Sequence, residues 1–259
     1  MAGGLSLYQE GASLLHRAHP LTKGVFTLSV IALAFIVPSL YWILAIALIL
    51  LILVIVAGVL RRLIAVALAL LLPIAVLLLA VQGFANPANH TILFAIGPIV
   101  YYTEGLSIAA IAALRITCLV VATFLFSFTT RPADITEALM QRGLSPAMGY
   151  VVQSALQIIP QTLDMAGRIQ DAQRARGLET EGSLPKRARA YLPLMLPLVL
   201  SSLVATQERA MALEVRGFGL PVKRVSRYEF VDNALQRVTR WTFALAVPGA
   251  IIARLVGWK

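Results

Sequence analysis

Acidic side chains are scarce: Asp and Glu together number 12 in 259 residues, against 22 Lys and Arg, and there are only three histidines and one cysteine. That small stock excludes several kinds of chemistry. Cys118 has no partner for an intrachain disulfide and, lying in an apolar run, reads as a small buried hydrophobe. The chain shows no Walker lysine motif, no cluster of metal-ligand residues and no acidic pair of the kind prenyltransferases use. An enzyme acting on lipid-linked substrates would need clustered polar residues at membrane depth, and these are missing. Before Gly24 there is no short apolar core followed by a small-residue cleavage site. We therefore expect no signal peptide and all 259 residues in the mature protein.

Apolar residues are abundant. The chain is 59% hydrophobic and 13% charged, with a mean hydropathy of +0.83, a balance no single water-soluble core can hide. It reads as a membrane protein. The net charge of +10 could point to nucleic acid, but most basic residues lie outside the apolar runs and on one inferred side of the membrane. Anionic lipid and an acidic cytosolic partner fit that distribution better.

From Val25 to Leu60 the sequence is apolar apart from Pro38-Ser39. As one helix it would be roughly 54 Å long, against a hydrocarbon core of about 30 Å, so it must fold back. The break belongs at Val37-Pro38-Ser39-Leu40, because a residue preceding proline is pushed out of the helical region. Arg61-Arg62 separates the second span from a third, Leu63 to Val81. A loop from Gln82 to Gly105, with Asn86, Pro87, Asn89 and His90 but no lysine or arginine, leads to a fourth span at Leu106 to Phe128; as a lone histidine, His90 reads as plain loop. Arg17, Lys23, Arg61, Arg62 and Arg131 all fall on one side, which makes the N-terminus cytoplasmic. Trp241 opens a last span, and Tyr101, Tyr102, Trp241 and Trp258 read as interfacial anchors. Arg115, well inside the fourth span, must face protein or snorkel.

After Arg131 acids, bases and prolines interrupt the apolar pattern. A short amphipathic piece, Pro132 to Gln141, sets Ile135, Ala138 and Leu139 on one face. Two long helices follow. The first is capped by Ser145 with Pro146 at its first position and runs to Arg176, stopped by Gly177. The second starts near Ser183 and Pro185, runs to Arg216 and is stopped by Gly217. Pro160, Pro193 and Pro197 should bend these helices without ending them. The expected class is an all-α membrane protein with about five transmembrane helices and a cytoplasmic domain of long coupling helices. Its divisions are a cytoplasmic segment (1–24), four spans (25–128), a coupling domain (129–238) and a last span (239–259).

Both long helices end in Arg-Gly. Capping accounts for the glycine, which accepts positive φ, and arginine complements the helix dipole for about 0.3 to 1 kcal/mol. Capping alone does not require arginine twice. A guanidinium carried past each helix end can pair bidentately with carboxylate in an acidic groove of a soluble partner.

Ala175-Arg176-Gly177 and Val215-Arg216-Gly217 resemble the twin Ala-Arg-Gly signatures of the energy-coupling factor (ECF) transporter T component, the EcfT/CbiQ family. His16-Arg17-Ala18-His19-Pro20-Leu21-Thr22-Lys23 is similar to the family's N-terminal segment, with His19 where an acid is common. Thr129-Thr130-Arg131-Pro132, followed by Glu137-Ala138-Leu139, resembles its join between membrane and coupling domains. Val215 replaces the usual alanine and adds two methyls beside Arg216. The resemblance implies a non-catalytic subunit without cofactor or metal, in the cytoplasmic (inner) membrane of a bacterium or archaeon. It further implies two cytosolic ABC ATPase subunits docking at Ala175, Arg176, Gly177, Val215, Arg216 and Gly217. A membrane S component would bind a vitamin or transition-metal ion. On this view the long apolar faces that include Val151, Val152, Ala155, Leu156, Ile159 and Leu163 suit a sliding surface, helix-helix core being the plainer reading. Arg115 would meet either a structural partner or the S component. Two alternatives remain open: the permease of an ordinary ABC importer, which Glu137-Ala138-Leu139, Gly143 and Ile159-Pro160 echo with the wrong spacing, and a basic membrane scaffold.

Overall fold

A computed structural model describes residues 8–9, 11, 13–85, 91–96, 99–177, 184–220 and 233–256. Its elements are α1 (Leu14–Arg17), α2 (Pro20–Ile36), α3 (Leu40–Ala57), α4 (Leu60–Ala85), β1 (Ile92–Ile96), β2 (Ile99–Tyr102), α5 (Thr103–Thr129), α6 (Pro132–Met140), α7 (Pro146–Ala175), α8 (Leu184–Val215) and α9 (Ala234–Leu255). The all-α membrane class holds: among the described residues α3, α4, α5 and α9 are long and apolar enough to cross a membrane, and α2 is a shorter apolar helix. The chain divides into two compact units, one covering Leu7–Ala138 and Phe230–Lys259, the other Leu139–Glu229.

In the first unit the long apolar run breaks where proline demands it. α2 ends at Ile36, Val37 takes an extended conformation, and α3 restarts at Leu40. Where α2, α3 and α5 meet, small residues let the backbones approach: Ala34, Cys118 and Ala122 are buried beside Val30, Ile43 and Leu50. A second cluster joins Val54, Val59 and Leu63 to Leu125 and Phe128. The opposite faces are apolar too, with Leu48, Ile52, Leu68, Leu72 and Val76 exposed, as expected of helices whose solvent is lipid.

The segment before α2 is tied to the C-terminal end of α5. Gln9 N–H donates to the Phe128 carbonyl at 3.0 Å, and Lys23 Nζ donates to the carbonyls of Thr129 (2.8 Å) and His16 (3.1 Å). Arg131 lies over the Tyr8 ring at 4.6 Å and Arg62 over Phe128 at 5.7 Å. Lys23, Arg62 and Arg131 thus gather at one end of the unit.

Three details differ from the expectation. The stretch read as a loop contains the antiparallel hairpin β1–β2, and α4 extends past Val81 to Ala85. Tyr101 is no interfacial anchor: it is buried, packs edge-on against Phe84 and donates its hydroxyl to the Leu79 carbonyl at 3.1 Å. On α6 the buried residues are Thr136 and Ala138, while Leu139 is exposed, because Thr136 bonds back to the Pro132 carbonyl and turns inward. Asn86, Pro87, Asn89, His90, Ser183 and Trp258 lie outside the described residues.

Candidate functional site

The second unit is built on α7 and α8. Ser145 caps α7 as its sequence requires, its hydroxyl accepting from Met148 N–H at 3.3 Å with Pro146 following. Pro160, Pro193 and Pro197 all lie inside continuous helix. Both C-terminal stops use left-handed glycine, with φ +89° at Gly177 and +72° at Gly217. After α8 the turn is of the Schellman type: Gly217 N–H bonds to Glu214 O at 2.9 Å and Phe218 N–H to Leu213 O at 2.9 Å.

Two contacts fix how the helices run. The Tyr150 and Phe218 rings meet at 5.1 Å, and Arg209 Nη2 donates to Gln161 Oε1 at 2.6 Å. Residue numbers rise along α7 as they fall along α8, so the pair is antiparallel. Arg216 therefore sits near the start of α7, whereas Arg176 lies some 26 residues beyond Tyr150. At 1.5 Å per residue the two arginines are roughly 35 to 40 Å apart.

Ala175, Arg176, Val215 and Arg216 are exposed, Val215 by 90%, and Gly217 is half-buried. Among the described residues neither the Arg176 nor the Arg216 guanidinium has a partner within the chain, whereas Arg174 is engaged internally. Each helix end thus carries an arginine whose capacity for bidentate pairing is unused. The two signatures are not brought together; they are held apart as separate points. Along α7, Val151, Val152, Ala155, Leu156, Ile159 and Leu163 are exposed among the described residues. α8 carries a similar exposed series, including Leu196, Val199, Leu200 and Leu203.

Sequence reasoning missed the Tyr150–Phe218 and Gln161–Arg209 contacts that set this geometry. A signal for Phe218 was available, since an apolar residue just after a Schellman glycine commonly packs back. Arg115, in α5, has a structural partner, one of the two expected for it: its Nη2 donates to the Val37 main-chain carbonyl at 3.0 Å.

The model of the family CbiQ, described as cobalt transport protein, matches residues 11–226. Relatives named energy-coupling factor transporter transmembrane protein EcfT include one from Clostridium kluyveri, 37% identical over 57% of this chain and 56% of that protein. The chain thus spans little more than half of that relative. Another, from Brevibacillus brevis, is 29% identical over 97% of this chain and 96% of its own length. One from Bacillus subtilis is 32% identical over 49% of this chain and 51% of that protein.

Proposed function

We propose, on the premise that this chain belongs to the CbiQ family and is an ECF-type transmembrane T component, that its two arginine-bearing helix ends are docking points for two cytosolic ABC ATPases. The observation that carries this reading is the duplicated stop: two exposed guanidinia, each aimed by a left-handed glycine, at opposite ends of an antiparallel pair. A spacing of roughly 35 to 40 Å gives each of two subunits its own point of attachment. Ala175 and Gly177 flank Arg176, and Val215 and Gly217 flank Arg216, so six residues make the two contacts.

When ATP draws the ATPases together, the helix ends move with them and the crossing of α7 and α8 changes. The exposed apolar faces of these helices are where a membrane S component would feel that change, so that a vitamin or transition-metal ion bound to it is imported. The chain itself performs no bond chemistry in this scheme. Residues 129–238 serve as the coupling domain, in the cytoplasmic membrane of a bacterium or archaeon with the N-terminus inside.

The test is ATPase co-purification and substrate uptake for Arg176→Ala and Arg216→Ala, with Arg174→Ala as control. Truncating one partner of a desolvated ion pair costs about 2 to 5 kcal/mol, so ATPase affinity should fall about 30-fold or more. Lysine should rescue poorly, since it keeps the charge and loses the planar fork. Arg174 is two residues earlier, about 200° around the helix, and its alanine variant should keep the ATPases. Wild-type co-purification in both signature alanine variants, or equal sensitivity at Arg174, overturns the docking role.

A further inference from the structure

Two arginines from distant parts of the sequence converge on the C-terminal end of α2. Arg254 Nη1, from the end of α9, donates to the Ile36 carbonyl at 3.2 Å, and Arg115 Nη2, from the middle of α5, donates to the Val37 carbonyl at 3.0 Å. Pro38 follows at once, so the helix has no continuation to occupy these carbonyls. Both arginines line a cavity of about 370 Å³ whose apolar walls include Phe35, Ile108, Ile111 and Ile116. Among the described residues no carboxylate lines it, and the buried Nε of Arg115 has no hydrogen-bond partner.

A guanidinium carries five N–H donors, and each of these two spends one on a carbonyl. Two cations therefore share an apolar-walled cavity with donors to spare and no countercharge, an arrangement that favours an anion with several acceptor oxygens. The surroundings point to an anion that carries hydrocarbon. Leu28 and Phe35 on α2 and Ile252 and Leu255 on α9 are exposed apolar residues of helices bathed in lipid. The cavity is within the usual size of small-ligand sites, about 300 to 1,000 Å³. We propose that this cavity binds the phosphate of an anionic phospholipid, held between Arg115 and Arg254, with the acyl chains lying outside along α2 and α9.

Native mass spectrometry of the purified full chain, released from detergent with a small excess of phosphatidylglycerol, tests this. The wild type should retain one phosphatidylglycerol, and Arg115→Gln and Arg254→Gln should each lower its occupancy at least tenfold. Arg61→Gln, an exposed charge at the start of α4, should leave it unchanged. If Arg115→Gln does not fold, Arg254→Gln decides, because its side chain is at a helix end. Millimolar inorganic phosphate should not displace the lipid, and phosphatidylcholine should not replace it. Full displacement by phosphate would assign the site to a free anion and overturn the lipid proposal. Equal retention of phosphatidylcholine, or wild-type retention in Arg254→Gln, overturns it as well.

Discussion

His16 shows how one residue couples the N-terminal segment to its surroundings. Its Nε2 lies 3.1 Å from the Gln9 carbonyl and must donate there, which leaves Nδ1, 2.7 Å from Ser13 Oγ, to accept. Burial, with the Lys23 ammonium adding to it, holds the imidazole below its usual pKa of 6.5; the bond to Gln9 pulls the other way. The unfolded chain therefore takes up a proton at a higher pH than the folded one, and stability is lost as pH falls below about 6.5. Thermal unfolding in detergent should show a midpoint that declines from pH 7 toward pH 5. In His16→Gln, which keeps a hydrogen-bonding side chain without titrating, that decline should be shallower. Equal pH slopes in the two proteins would remove His16 from the account.

At the scale of elements, most of what could be read in the sequence concerned helix starts and stops, because these are local. Pro38 breaks the first apolar run, Ser145-Pro146 begins α7, and the two glycines end α7 and α8. The hairpin β1–β2 was not legible as such, since its apolar residues read equally as an uncharged loop. Its consequence is a close approach: α4 runs on to Ala85 and Tyr101 closes over Gly83, where a Cβ would lie 2.0 Å from the ring. Gly105, at the start of α5, sits against α4 so tightly that a Cβ would fall 2.2 Å from the Gln82 carbonyl oxygen and 2.7 Å from Gly83 Cα. Those are backbone atoms, which cannot swing aside. Gly105→Ala should destabilise by about 1 to 3 kcal/mol through overpacking. Gly167→Ala, inside α7 with nothing within 4 Å of the added methyl, should instead stabilise by about 0.5 to 1 kcal/mol. Thermal midpoints of the two variants check the contrast, and a neutral Gly105→Ala would mean that α4 and α5 are not held this closely.

For the molecule as a whole, the sequence carried the number and order of apolar helices but not their mutual placement. That placement rests on pairs far apart in the chain, such as Phe26 with Phe243, centroids 4.9 Å apart, and Ile36 with Arg254. These two pairs show that α2 and α9 run parallel, so the ends of both lie at the same end of their unit. Lys23, Arg62 and Arg131 gather at the other end, and the excess of basic residues usual in cytoplasmic segments supports the proposal that this end is the inner one. In the proposed topology of five crossings with the N-terminus inside, Asn89 and the C-terminal end of α9 would face outside and Gly182 inside; Asn89 and Gly182 lie outside the described residues and are placed by sequence alone. The sole cysteine, Cys118, is buried and apolar in surroundings, so Cys118→Ala gives a thiol-free background. In it, Asn89→Cys and Val256→Cys should react with a membrane-impermeant maleimide on intact cells, and Gly182→Cys only after the cells are opened. Labelling of Asn89→Cys and Gly182→Cys from one side would overturn the five-crossing, N-inside topology. Labelling of Val256→Cys from the inside alone would show that α9 does not cross.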